Sequence, residues 1–206
     1  MSVPKLYDVD VIEIEMLQSG DAETGEAQWV FDFDAIERAF AAGCHAFVLC
    51  NPHNPIGKVL TLEEELRLSD LAAQYDVRIF NDEIHAPFVF EGKHIPFPTI
   101  SEQAALQSMT ATSASKSFNI PGTKCAQVLL TNPADRDMWA VKAEWSEHQT
   151  ATIGAIATTT AYNEATCGSR MRLPMCAGIW RCSTSRCVKG SPASAISNRR
   201  HIYRMA

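Results

Sequence analysis

The stretch Ala46-Phe-Val-Leu-Cys-Asn-Pro-His-Asn-Pro-Ile-Gly57 joins an unbroken apolar run to a polar, turn-forming segment. An apolar run this short suits a strand buried on both faces of a parallel sheet. Proline and asparagine then end regular pairing. Thr61-Leu-Glu-Glu64 follows as a capping box, and Leu66, Leu71 and Ala72 continue a helix to about Tyr75. Residues 77–80 form the next apolar run, which leads into Asn81-Asp-Glu-Ile-His85. Strand, helix and strand in this order read as one unit of an α/β layer.

Working outward, residues 109–112 and 126–131 read as two more strands, the first leading into Ser113-Ala-Ser-Lys-Ser-Phe-Asn-Ile-Pro-Gly122. Phe33, Ile36, Ala39 and Phe40 recur at helical spacing, with Asp32 or Asp34 available as a cap. Residues 9–17 are strand-like, with apolar side chains interleaved with acids, and residues 19–25 read as a turn-rich loop. Residues 135–147, with Met138, Trp139, Val141 and Trp145, and residues 150–164 read as helices. The expected fold class is α/β, a mainly parallel sheet with flanking helices. Ligands of such sheets gather beyond the carboxyl ends of the strands. The segments at 51–57, 81–85 and 113–122 all fall there.

Hydrophobic content of 46% with 20% charged residues is ordinary for a soluble globular chain. No run approaches the roughly 18 apolar residues of a membrane span, so no membrane partner is expected. Residues 1–10 mix polar and apolar side chains, unlike a secretory signal. Cys44, Cys50 and Cys125 lie in apolar surroundings and read as buried free thiols of a reducing compartment, which places the protein in the cytoplasm.

The net charge of −6 hides a division. Residues 166–206 carry eight Lys or Arg and no acid, whereas residues 1–165 carry 10 basic and all 24 acidic residues. The tail also holds Cys167, Cys176, Cys182 and Cys187. Two parts follow: residues 1–165, and a basic, Cys-rich tail expected to be disordered or translated out of frame. A nucleic-acid-binding tail is the rival reading, and no nucleic-acid partner is expected. The tail cysteines contain no C-x-x-C pair, so no metal site is read there.

The chemistry sits in the three polar segments. A pyridoxal 5'-phosphate (PLP) site needs a lysine amine for the cofactor aldehyde. It also needs a carboxylate near the pyridine nitrogen, so that the protonated ring accepts electrons. A donor must face the phenolic oxygen, and several must surround the phosphate. Lys116 supplies the first, Asp82 the second and Asn54 the third, while Ser113, Ser115 and Lys124 are candidates for the phosphate. Taken singly, Asn54-Pro55 reads as a turn, Asp82 as a helix cap and His85 as a satisfied buried histidine. His53 and His94 read as loop histidines, Glu83 as structural, and Trp139 with Trp145 as helix packing. The ordered set of three segments outweighs the single readings.

Over residues 3–164 the chain resembles the fold-type I PLP enzymes of the aspartate aminotransferase superfamily. It is most similar to their cystathionine β-lyase (C–S lyase) branch, that of the MalY- and PatB-type proteins. Cys50-Asn-Pro-His-Asn-Pro-Ile-Gly-Lys58, Asn81-Asp-Glu-Ile-His85 and Ser115-Lys-Ser-Phe-Asn-Ile-Pro-Gly122 carry the resemblance. It implies that Lys116 holds the cofactor covalently and removes the substrate Cα proton, that Asp82 pairs with the pyridinium, that Asn54 contacts the phenolic oxygen and that Ser113 binds phosphate. Lys124 stands where many aminotransferases carry Arg, which keeps the charge without the bidentate fork. His85 stands where they often carry Tyr, which favours the lyase branch. The implied substrate is a small amino acid, cystathionine or another cysteine S-conjugate, cleaved to thiol, pyruvate and ammonia. A class I/II aminotransferase and a non-catalytic remnant without PLP are the alternatives.

Family members are longer, and a homodimer is expected for the full-length family. The resemblance leads to the expectation of a fragment, weak or inactive alone. It lacks the glycine-containing phosphate loop, the aromatic that stacks on the PLP ring and the Arg for the substrate carboxylate. Resequencing the coding DNA around residue 166 checks the out-of-frame expectation, which an unambiguous intact frame overturns.

Overall fold

The computed structural model describes residues 7–20 and 28–165; the tail read from the sequence at 166–206 and most of the loop at 19–25 lie outside the described residues. The chain enters through a small antiparallel ribbon of β1 (Leu17–Ser19) and β2 (Gln28–Val30). The strand expected over 9–17 is therefore reduced to its last residue and two beyond it. Among the described residues, residues 9–16 have no ladder partner, although Ile14 and Met16 pack on the core. Apolar contact alone does not make a strand; the backbone needs a partner.

A second sheet has the order β3-β4-β5-β6, from β3 (Ala46–Cys50), β4 (Arg78–Asp82), β5 (Ser108–Thr112) and β6 (Gln127–Leu130). β3, β4 and β5 run parallel, and β6 closes the row antiparallel, giving the mainly parallel α/β architecture expected. Helix α1 (Phe33–Ala41) leads into β3, its first turn capped by Asp32 Oδ1, which accepts from Ala35 N–H at 2.9 Å. Helix α2 (Leu62–Gln74) crosses from β3 to β4 and opens on the expected capping box between Thr61 and Glu64. Its buried stripe is Glu65, Leu68, Ser69 and Ala72; of the residues named from the sequence Ala72 is buried, while Leu66 and Leu71 are half-buried, with Leu71 packed on the core. Helices α3 (Glu102–Gln107) and α4 (Ala114–Ser117) flank β5.

The helix expected over 135–147 is broken into α5 (Pro133–Lys142) and α6 (Glu144–His148), and α7 (Thr152–Glu164) follows. The break falls at Ala143, whose side chain is buried, and the Trp139 indole N–H donates to Glu147 across it at 2.8 Å. Trp145 is 77% exposed, so the two tryptophans do not share a packing role. Arg78, at the start of β4, reaches the Leu106 carbonyl at 2.9 Å and pairs with Asp135 of α5.

The core lies on one face of the sheet. Phe47, Leu49 and Ile79 meet Ile36 and Phe40 of α1, Leu68 and Ala72 of α2, and Phe97. Phe31 and Phe40 each meet the Phe47 ring edge-on, at 6.3 and 5.9 Å between centroids, an arrangement that suits the ring quadrupoles. On the other face Val48 and Cys50 are only half-buried and Phe80 is 39% exposed. β3 is thus buried on one side only, against the two-faced burial expected from its unbroken apolar run. Cys44, Cys50 and Cys125 are free but half-buried rather than buried. Among the described residues no helix is long and apolar enough to cross a membrane.

The core and the cap should differ in weight. Leu49 is fully buried, so Leu49→Ala should cost about 2–5 kcal/mol. Thr61→Ala, which loses one cap, should cost about 1 kcal/mol. Urea midpoints at constant slope check the order of the two, and equal losses would contradict a core seated on β3.

Candidate functional site

Parallel pairing brings the ends of β3, β4 and β5 to one edge. At the first exit, Asn51 N–H donates to the Asp82 carbonyl at 3.0 Å, extending the ladder by one bond. The loop then closes on itself, His53 N–H to the Lys58 carbonyl and Gly57 N–H to the His53 carbonyl, both at 2.8 Å. Gly57 has φ of 72°, a left-handed conformation that glycine adopts without steric cost. The Asn51–Pro52 and Asn54–Pro55 peptides are cis. Asn54 is exposed on this loop.

At the second exit, Asp82 lies on the sheet face opposite the core residues Asn81 and Ile79, because strand side chains alternate. Its Oδ1 accepts from Ile84 N–H at 3.0 Å, which turns the chain and presents His85, half-buried, ahead of a short 3-10 turn, Ala86–Phe88. At the third exit, Ser113 caps α4 by accepting from Ser115 N–H at 3.0 Å and donates its own hydroxyl proton to the Cys125 carbonyl at 2.6 Å. Helix α4 carries Lys116, which is exposed. Beyond it Lys124 adopts a left-handed backbone, φ 50°, after the 3-10 turn Pro121–Thr123, a conformation that costs a side-chain-bearing residue about 1–2 kcal/mol. A Cβ on Gly154 would collide with the Thr123 carbonyl, so α7 presses directly on this turn.

The expected site residues gather into two neighbouring groups. Ser113, Ser115 and Lys124 line one cleft of about 620 Å³, together with Trp139. Asn54 and His85 face one another across a second cleft of about 420 Å³, walled by Ile56, Phe88 and Phe90. The Asp82 and Lys116 charges act on His85 in opposite senses, although neither residue lines either of these two clefts. Burial holds the His85 imidazole below its ordinary range, the Asp82 charge pulls it up and the Lys116 charge pushes it down. Cys50, paired in register with Asp82, has its thiol pushed up by burial, against a bond from the Asn54 N–H and with the Asp82 charge adding to the rise. The shift favours the neutral thiol of Cys50.

Beneath this edge lies a polar layer that the sequence reading did not assemble. Asn51, buried, donates to Glu65 Oε1 at 2.6 Å and accepts from Leu60 N–H at 3.1 Å. Glu83, also buried, accepts from Phe97 N–H at 2.8 Å and from the Asn81 amide, and pairs with His94 Nε2 at 3.0 Å. Glu83 is structural, as expected, and His94 is a loop histidine, half-buried, whose ring is engaged by Glu83. His53 is buried as well, and burial lowers its pKa. The sequence signal for the burial of Glu65 is its helical phase with Leu68 and Ala72.

These residues fit the group that the resemblance implies. Among the described residues the Lys116 amine has neither ion pair nor hydrogen bond, and Asp82 engages only one carboxylate oxygen. An amine for an aldehyde, a carboxylate for a ring nitrogen, neutral donors for a phenolic oxygen and a hydroxyl–cation set for a phosphate all stand on one edge. Ser113 fits least directly, since its hydroxyl proton is engaged by Cys125.

The sequence profile of the family described as aminotransferase class I and II matches residues 3–174. A cystathionine β-lyase of Corynebacterium glutamicum is 44% identical over 134 residues, covering 65% of this chain and 36% of that protein. Protein MalY of Escherichia coli is 37% identical over 115 residues, covering 54% and 28%. The crystal structure of a putative PLP-dependent β-cystathionase from Corynebacterium diphtheriae superposes with a TM-score of 0.67 at 38% identity, covering 70% of this chain and 38% of that one. The chain thus spans little more than a third of the length of these relatives, or less.

The opposed charges at His85 give a direct test. The ring should titrate below its ordinary value; Asp82→Asn should lower it further, and Lys116→Met should raise it. Ring-proton NMR titration of the three chains reads these shifts. Two shifts of the same sign, or none, would separate His85 from the other two residues.

Proposed function

Since the chain belongs to the aminotransferase class I and II family, we propose that it binds pyridoxal 5'-phosphate and serves a C–S β-lyase reaction. Cystathionine or a related cysteine S-conjugate is the substrate, and a thiol, pyruvate and ammonia are the products. The observation that carries this reading is the common edge of β3, β4 and β5, since Asn54, Asp82, His85 and Lys116 all belong to the strand ends and segments at that edge. The likeness to cystathionine β-lyases favours the lyase over amino transfer.

When bound, the cofactor supplies an electron sink for negative charge at the substrate α-carbon. Lys116 would hold it through the amine and, with that amine free, would accept the substrate α-proton at Nζ. Asp82 keeps a proton on the ring nitrogen. Asn54 and His85 orient the phenolic oxygen, and burial favours a neutral His85 imidazole that donates without adding charge. Ser113, Ser115 and Lys124 hold the phosphate, Ser113 by exchanging the Cys125 carbonyl for a phosphate oxygen. With the α-proton on Lys116, loss of the thiolate from Cβ and hydrolysis of the remaining enamine by water would account for the thiol, pyruvate and ammonia.

We assign the reaction to the cytoplasm, in keeping with the free thiols of Cys44, Cys50 and Cys125. A homodimer is the assembly we propose for the whole enzyme. The family's description favours a second reading, amino transfer to a keto acid.

A visible absorbance titration of the purified chain with PLP, followed by borohydride reduction and peptide mapping, tests the site. The label should fall on Lys116 and vanish in Lys116→Ala. Thiol and pyruvate release from cystathionine should depend on the same lysine. Keto-acid-dependent transfer without pyruvate would select the aminotransferase instead, and a soluble, folded chain that takes up no PLP would remove both.

A further inference from the structure

The cleft between Asn54 and His85 has two walls, and each is tied from beneath to a different buried glutamate. Asn51, at the root of the 52–57 wall, is fixed on both sides of its amide: Oδ1 accepts from Leu60 N–H at 3.1 Å, and Nδ2 donates to Glu65 at 2.6 Å. Glu83, at the root of the 84–91 wall, is fixed by Asn81, by Phe97 N–H and by His94. Both carboxyls are buried, Glu65 completely.

The two acids are not equivalent. Glu83 has three donors, one of them an imidazole. Glu65 has a single donor, and its Oε2 is buried with no hydrogen-bond partner. The charges facing Glu65 are Glu83 across the layer and Glu64 on its own helix, the latter paired with Lys58 at 2.7 Å. Among the described residues no cation pairs with Glu65. Two carboxylates in one dry layer with donors enough for one leave the other best held as a neutral acid.

We propose that Glu65 is a positioning residue for this cleft: as a buried neutral acid it ties helix α2, through Asn51, to the 52–57 wall, opposite the wall that Glu83 anchors. Its bearing on the cofactor rests on the reading of the cleft given above. The tie between Glu65, Asn51 and Leu60 stands without it. Ionisation of Glu65 sets a second charge beside Glu83 that one amide cannot compensate, and separation of α2 from the 51–60 segment, with entry of water, is the cheapest relief. Burial, then Glu83, pushes the Glu65 carboxyl up to about 8, with the Asn51 bond opposing. A folded-state value above the ordinary one means that this group's contribution falls as pH rises from about 4.5 to about 8 and is flat above.

Amide hydrogen exchange on the full chain, without cofactor, tests the tie, with Glu65→Gln compared at each pH so that the intrinsic exchange rate cancels. At pH 6 the two should match at Leu60 and Gly57. At pH 9 the parent should exchange at least about tenfold faster at both, while Ile79 and Phe80 in β4 stay alike. Because the parent reports through its own pH dependence, a poorly folded variant does not rescue the idea: unchanged parent protection of Leu60 between pH 6 and 9 overturns it, as does equal loss in Glu65→Gln. A PLP absorbance titration on the same samples separates the two readings. Affinity that weakens above pH 8 in the parent alone supports both. No PLP uptake, with the exchange pattern intact, removes the cofactor reading and leaves the tie.

Discussion

Parallel pairing of β3, β4 and β5 is the constraint on which the rest depends. In a parallel ladder each strand ends at the same edge, so three loops far apart in sequence leave the sheet side by side. The register is specific: Cys50, Asp82 and Ala111 stand in one row, and Asn51 and Glu83 add one backbone bond each beyond it. A slip of one residue in β4 would exchange Asp82 for Asn81 and send the carboxylate into the core face. The aromatic packing around Phe47 and the fully buried Leu49 and Ile79 hold that register from below.

Burial on one face has a cost at the edge. Asn81 and Glu83 point to the core side, where water cannot reach them, and their groups must find partners inside the protein. His94 and Phe97 are drawn back to Glu83, and the residues between, 84–93, become a loop returning to its origin. The same demand brings Asn51 to Glu65. The chemistry-bearing side chains above the edge are therefore held by polar contacts below it, while Lys116 and Asn54 themselves remain exposed.

Much of this was legible in the chain. The run 46–50, the capping box at Thr61 and the apolar stripe of α1 each announce an element through short-range physics: burial pattern, cap chemistry and helical phase. The three polar segments were legible because turn residues follow apolar runs at each strand end. Other readings failed for long-range reasons. Residues 9–16 alternate like a strand yet have no ladder partner among the described residues. The helix at 135–147 breaks at Ala143, which no glycine or proline marks. The helical phase of α2 puts Glu65 in line with Leu68 and Ala72, but that Asn51 stands opposite it is a fact that helical phase alone does not contain.

Sequence by itself determined the run from β3 through α2 to β4, the strands β5 and β6, and the residue types of a candidate lysine–aspartate–asparagine site with the turns that carry them, because propensity, capping and turn chemistry act within a few residues. Tertiary structure decided which sheet face is buried, that Asp82 and Lys116 both bear on His85, that Ser113 engages Cys125, and that Glu65 and Glu83 share one dry layer. Those outcomes depend on register and on what lies across a gap, and the energy of a buried charge is set by neighbours that only folding brings near.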